Sequence, residues 1–180
     1  MISIDKEIIY PVAGSVCAGI AAIFDIQSRK IPNRLIAFAL PAALLLHLIF
    51  DGWSGLATSF AAALVAGGIF LIFFVAGGMG GGDVKLISTV ASAIGFENIA
   101  YLLIFTSLVG GLMGLVLALV HGRLRETMWN VLSLVRHHHH KGLTPHEEIN
   151  VKNSNSLRLP YAVAIAAGCL LTSYFAEMPR

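Results

Sequence analysis

Six apolar runs, at residues 8–24, 35–50, 56–76, 84–95, 99–120 and 159–176, occupy most of this chain. A segment of about 20 residues crosses the hydrocarbon core of a bilayer, within a usual range of about 17–25. Five of the runs come near that length, the second only if its helix begins at Asn33 or Arg34. The fourth is short, its twelve residues covering only ~18 Å at ~1.5 Å per residue. The chain is 57% hydrophobic and 12% charged, with a mean hydropathy of +0.80, whereas soluble domains average about 25% charged residues. Such a surface is solvated by lipid. The expected fold is therefore an all-α integral membrane protein with six transmembrane helices. Residues 1–180 form one membrane-embedded domain with a single long loop at about 121–158. The first run lacks a basic leader segment and is followed by further spans, so it reads as a helix and not as a cleaved signal peptide. The net charge of +2 is too small to indicate a nucleic-acid partner.

Turns separate the runs. Ile31-Pro32-Asn33 follows the first, because proline disfavours helix in the residue before it. Asp51-Gly52-Trp53-Ser54-Gly55 follows the second as a tight turn, a glycine run at 77–82 follows the third, and Gly95-Phe96-Glu97-Asn98 divides the fourth from the fifth. In a six-span arrangement, ten of the twelve Lys and Arg residues fall on one side, with Lys6 and Arg180 on the other. Cytoplasmic loops carry the Lys/Arg excess, so both termini are expected outside and the 121–158 loop inside.

Asp25 and Asp83 are the acids that lie against apolar runs outside any obvious polar turn or tail. A carboxylate at membrane depth is costly and marks a functional site by default. Asp25 ends the first run and Asp83 follows the third, so two crossings put them on the same, cytoplasmic side. Counting back from Gly95 through the short fourth run places Asp83 roughly 10 Å below the inner surface. The glycines before it would then be non-helical backbone inside the membrane, tolerated only where protein or a wet cavity surrounds it. Two facing carboxylates in such a cavity cannot easily both ionise, and they share a proton. One can act as general base on a water while the other protonates a scissile carbonyl oxygen. This is the chemistry of an aspartic protease, and it requires no metal or cofactor. The bland alternative is that Asp83 caps a helix beginning at Val84.

Gly80-Gly81-Gly82-Asp83-Val84-Lys85-Leu86 resembles the GxGD motif of type IV prepilin peptidases. Asp25-Ile26-Gln27-Ser28-Arg29-Lys30-Ile31-Pro32-Asn33 resembles the first aspartate segment of that family, and Leu159-Pro160-Tyr161-Ala162 resembles the start of its last helix. The three occur in family order, and the six-span layout covers almost the whole chain. The resemblance implies an intramembrane aspartic endopeptidase of the bacterial inner membrane, with the GxGD motif opening the fourth helix. It would remove the basic leader of prepilins and pseudopilins at the cytoplasmic face and work beside the pilus-assembly machinery. Asp25 and Asp83 match the catalytic pair, while Gly80, Gly82, Lys85, Pro32, Asn33, Pro160 and Tyr161 match motif positions. The small size resembles the Tad/Flp pilus subgroup. Larger members also N-methylate the new N-terminus and carry an N-terminal cytosolic part with paired cysteines. Neither is found in this sequence, so leader cleavage without methylation is expected. Presenilin-like relatives fit less well, since Phe24 and not a tyrosine precedes Asp25. A prepilin's apolar helix would lie among the spans while its basic leader stays in the cytoplasm, although the enzyme's own inner face is basic. Glu147 and Glu148 or anionic lipid would offset that.

Two other functions would use the same residues. A small proton-coupled transporter would use both carboxylates but needs polar residues along several spans, and the second, third and fifth runs have almost none. A non-enzymatic pilus-assembly scaffold is the other alternative. The four histidines at 137–140, with His146, suggest metal binding, but four consecutive side chains cannot all face one ion in a regular element, so a solvated tract is expected. Residues 124–135 carry Leu124, Met128, Trp129, Leu132 and Val135 at helical spacing, the pattern of an interfacial helix. The stretch 144–156 is polar and expected to be mobile. Cys17 and Cys169, both inside apolar runs, read as small buried hydrophobes. Gly67-Gly68, Gly110-Gly111 and Gly114 read as close helix packing. Lys85 either positions the site or snorkels to the headgroups.

Overall fold

The computed structural model describes residues 6–76, 78–122, 124–125, 129 and 159–176. Among them every regular element is helical: α1 (Lys6–Ser28), α2 (Asn33–Val75), α3 (Gly81–Ile94), a 3-10 turn (Phe96–Asn98), α4 (Ile99–Val120) and α5 (Tyr161–Ala176). The expected interfacial helix over 124–135 (apart from residues 124, 125 and 129), the histidines at 137–140 and the stretch 144–156 lie outside the described residues. So does most of the 121–158 loop.

Proline sets the first boundary. After α1, Arg29 takes a positive φ of 54°, and Pro32, held extended at φ −62° and ψ 127°, starts α2 at Asn33. That start gives the second apolar run the length the sequence required of it. At ~1.5 Å per residue the 43 residues of α2 would extend ~64 Å, about twice a hydrocarbon core. The helix does not run straight: Gly52 takes φ 67° and ψ −155°, inside an otherwise continuous helix. Side-chain-bearing residues essentially never adopt that conformation. The five-residue turn expected at 51–55 is therefore a one-residue break, and the second and third runs are the two arms of α2.

α3 corrects the sequence reading by three residues. Gly80 is extended at φ −83° and ψ 150°, but Gly81 and Gly82 are already helical. The glycine run is thus not wholly non-helical, and the short helix has 14 residues and not twelve. It is also the centre of the bundle. Leu86, Ile87, Val90 and Ala91 are fully buried, packed by α2 along one side and by α1 and α5 on the other, with α4 resting on α5. Small residues make this possible: Ser59 Oγ bonds both the carbonyl and the hydroxyl of Ser92 at 2.8 Å, and a Cβ on Gly67 would collide with the Ser88 hydroxyl. Gly95, at φ 86°, ends α3 and turns the chain into the 3-10 segment.

Large apolar side chains point outward on every long helix, Phe38 at 78% exposure and Val120 at 76% among them. In water this would be an aggregating surface; in lipid it is the expected one. Among the described residues three helical stretches are by length and composition able to cross a membrane, within α1, α2 and the Phe96–Val120 segment, and Tyr161–Phe175 is a shorter apolar helix. One of the three holds two of the six runs, and α3 falls short of a full span.

Candidate active site

Asp25 stands in the last turn of α1, where the helix can no longer use its carbonyls internally, and Arg29 N–H donates to the Asp25 carbonyl at 2.9 Å. Its side chain is buried, the residue only 7% exposed, and Oδ2 accepts the backbone N–H of Ala162 at 3.2 Å. That donor is one of the unpaired amides in the first turn of a helix. Pro160, which has no N–H, precedes the helix and accepts from Val163 N–H at 3.0 Å. The positive end of α5 therefore points at the Asp25 carboxylate.

Asp83 is the third residue of α3 and folds back on the turn before it. Its Oδ2 accepts Gly80 N–H at 3.1 Å, while its own N–H donates to the Gly80 carbonyl at 3.2 Å. A Cβ on Gly80 would lie 3.2 Å from that carboxylate oxygen, so glycine there lets the loop close. At Gly81 and Gly82 a Cβ would meet Phe74 and Ile31 at ordinary contact distance. The capping role that was the alternative for Asp83 is present, and the turn it closes is set against the start of α2 by the Gly82–Ile31 contact and the Lys85–Asn33 hydrogen bond.

The remaining motif residues frame the pair. Asn33 Oδ1 accepts from Lys85 Nζ at 2.9 Å, tying the start of α2 to α3. Ile31 lies against Gly82. Tyr161 sets its ring edge-on to Phe70, with centroids 5.9 Å apart, and presses into α4 at Gly110, where a Cβ would come within 2.9 Å of the ring and hydroxyl. Three segments far apart in sequence, around 25–33, 80–85 and 160–162, are thereby brought to one end of the bundle.

Over more than half its length, residues 12–115, the chain matches the family model described as the type IV leader peptidase family. The chain belongs to the type IV leader peptidase family. The matched region contains Asp25, Pro32, Asn33, Gly80, Gly82, Asp83 and Lys85, and stops short of Pro160 and Tyr161. A relative named "Prepilin leader peptidase/N-methyltransferase", from Bacillus subtilis (strain 168), is 31% identical over 164 residues. The alignment takes in 88% of this chain and 52% of that protein, so the chain spans about half the length of the curated relative it matches. No solved structure matches. The family and the apolar helices together make this an integral membrane protein.

Sequence reasoning missed three parts of this site: the Ala162 amide, the Phe70 face and the role of Gly110. The glycine pair at 110–111 was legible as helix packing, but nothing in the sequence said that the packed group is Tyr161. A second polar group was also missed, at the opposite end of α1. There Lys6 and Tyr10 both donate to the Asp51 carboxylate at 2.6 Å, and buried His47 stacks on Tyr10 at 3.9 Å and faces the Ala93 carbonyl at 3.2 Å. It fastens the start of α1 to the break in α2. No cluster of three His, Cys, Asp or Glu side chains suited to a metal ion occurs among the described residues.

Proposed function

We propose that this leader peptidase hydrolyses the peptide bond between the basic leader and the apolar helix of prepilins and pseudopilins of the Tad/Flp type. Asp25 and Asp83 act as the acid–base pair. The observation that supports the reading is the meeting of the two aspartate segments at one end of the bundle, where the α5 N-terminus holds Asp25 and Lys85, two residues from Asp83, bonds Asn33 at the start of α2. An ionised carboxylate takes a proton from water, whose oxygen attacks the scissile carbonyl carbon. The protonated partner gives its proton to the carbonyl oxygen. The tetrahedral intermediate then collapses: the C–N bond breaks, the nitrogen receives a proton from the pair, and a leader carboxyl and a free pilin amine result. The two protons belong to the pair as a unit. Gly80, Gly82, Lys85, Pro32, Asn33, Pro160 and Tyr161 serve by holding the three segments in register around the pair.

The proposed setting is the bacterial inner membrane, with six crossings counted as the two arms of α2 plus α1, α3, α4 and α5. The carboxylate end faces the cytoplasm and both termini face outside. The Lys/Arg distribution supports that orientation.

Co-expression with a candidate prepilin, followed by the size of the pilin on a gel, tests the proposal. Asp25→Asn and Asp83→Asn should each abolish cleavage while the protein stays in the membrane at normal level. Normal processing by either variant overturns the mechanism.

A further inference from the structure

A groove of about 400 Å³ opens between α1 and α2, with α3 as its floor. Ala13 and Ile20 stand on one wall, Arg34 and Leu46 on the other, and Thr89 and Ala93 lie beneath. From residue 34 to residue 46 the α2 wall rises ~18 Å, more than half of a ~30 Å hydrocarbon core. The one hydroxyl in the floor is already used, since Thr89 Oγ1 donates to the Lys85 carbonyl at 2.9 Å. Apart from the Cys17 thiol the rest of the lining is hydrocarbon except for Arg34, which is exposed at the end nearest Asn33 and has no carboxylate partner among the described residues.

The groove is not the mouth of the carboxylate site. Asp25 lies five positions beyond Ile20 and Asp83 six before Thr89, so at 3.6 residues per turn both carboxylates are rotated roughly 120–140° from the groove. The groove is an open, apolar slot between two helices. A hydrocarbon chain is narrow, has no backbone hydrogen bonds to satisfy and follows a bent slot. Charge decides the headgroup: Arg34 repels a basic leader and attracts a phosphate, and the inner leaflet is rich in anionic lipid.

We infer that this groove binds an anionic phospholipid, with one acyl chain between α1 and α2 and its phosphate on Arg34. The headgroup sits one residue from Asn33 and steadies the turn whose Asn33–Lys85 bond joins α2 to α3.

The test uses the purified full chain in detergent, with phosphatidylglycerol and phosphatidylcholine as probes and native mass spectrometry as the readout. The lipid-binding measurement uses no prepilin, so a failed cleavage assay leaves its result standing. The wild type should retain one phosphatidylglycerol per chain in preference to phosphatidylcholine. Arg34→Gln should weaken phosphatidylglycerol about fivefold, the effect of one interfacial cation, and erase the preference. Ala42→Phe, at an exposed lining position, should lose both lipids with unchanged helicity. Wild-type retention of phosphatidylglycerol by Ala42→Phe, or equal binding of the two lipids by the unaltered protein, overturns the inference. A photo-crosslinker at position 42 that captures a co-expressed prepilin in place of lipid also overturns it, and would show the groove to be a substrate surface.

Discussion

At the residue scale, the candidate site depends on positions where a side chain is absent as much as on those where one is present. Gly110 and Gly111 are neighbours on α4, yet a Cβ on the first would strike the Tyr161 ring at 2.9 Å and on the second would meet nothing within 4 Å. Gly110→Ala should therefore cost about 1–3 kcal/mol through overpacking, read as a lowered unfolding temperature of the detergent-solubilised protein, together with slower leader cleavage as Tyr161 shifts. Gly111→Ala should stay within about 0.5 kcal/mol of the parent. The Asp25→Asn and Asp83→Asn outcomes belong to this scale too, since each exchange keeps the shape of the side chain and removes only its ability to carry charge. Both aspartates were legible in the sequence because an acid beside an apolar run has few bland explanations. The Ala162 amide was not, because a backbone donor carries no signature in residue identity.

Among the elements, α3 is where local preference and tertiary packing disagree. Glycine is a poor helix former, so the run at 80–82 reads as a break. The structure makes two of these glycines helical because the first turn is fixed from outside, by Asp83 folding back on Gly80 and by Ile31 and Phe74 against the glycine faces. The same turn is tied to α2 by the Lys85–Asn33 hydrogen bond. If that bond acts by holding α2 against α3, Lys85→Ala and Asn33→Ala should each slow leader cleavage by about twofold to fivefold, the effect of an exposed polar pair. The double variant should be no slower than the worse single one. Multiplying effects would instead mean that the two residues act separately. The break at Gly52 falls inside the tight turn expected at 51–55, but it is shorter than that turn, since helical hydrogen bonding closes over all but one residue.

For the whole molecule, the existence of the helices was legible and their packing order was not. In water, periodic polarity tells which face of a helix is buried. In lipid both the core face and the outer face are apolar, and what distinguishes the core is small size. Ala18, Ala21, Ala62 and Ala66 are nearly or wholly inaccessible, while Leu64, Leu108 and Leu112 face outward. A hydropathy reading ranks these residues the wrong way round for burial. The proposed orientation makes a direct prediction on intact cells. A cysteine introduced by Lys30→Cys should be blocked only by a reagent that crosses the membrane, and one from Trp53→Cys by an impermeant reagent as well. Both sites are exposed, and the native Cys17 and Cys169 are buried. The reverse pattern would put the carboxylate end outside.

The hydrogen bond from Ala162 to Asp25 joins residues 137 positions apart. A ribosome delivers this chain from its N-terminus, so Asp25 enters the membrane long before its donor has been synthesised. Until α5 arrives, α1 carries a carboxylate without its backbone partner, and the pair with Asp83 lacks one of its walls. In the proposed mechanism, a chain assembled in this order stays inert until its final helix is in place.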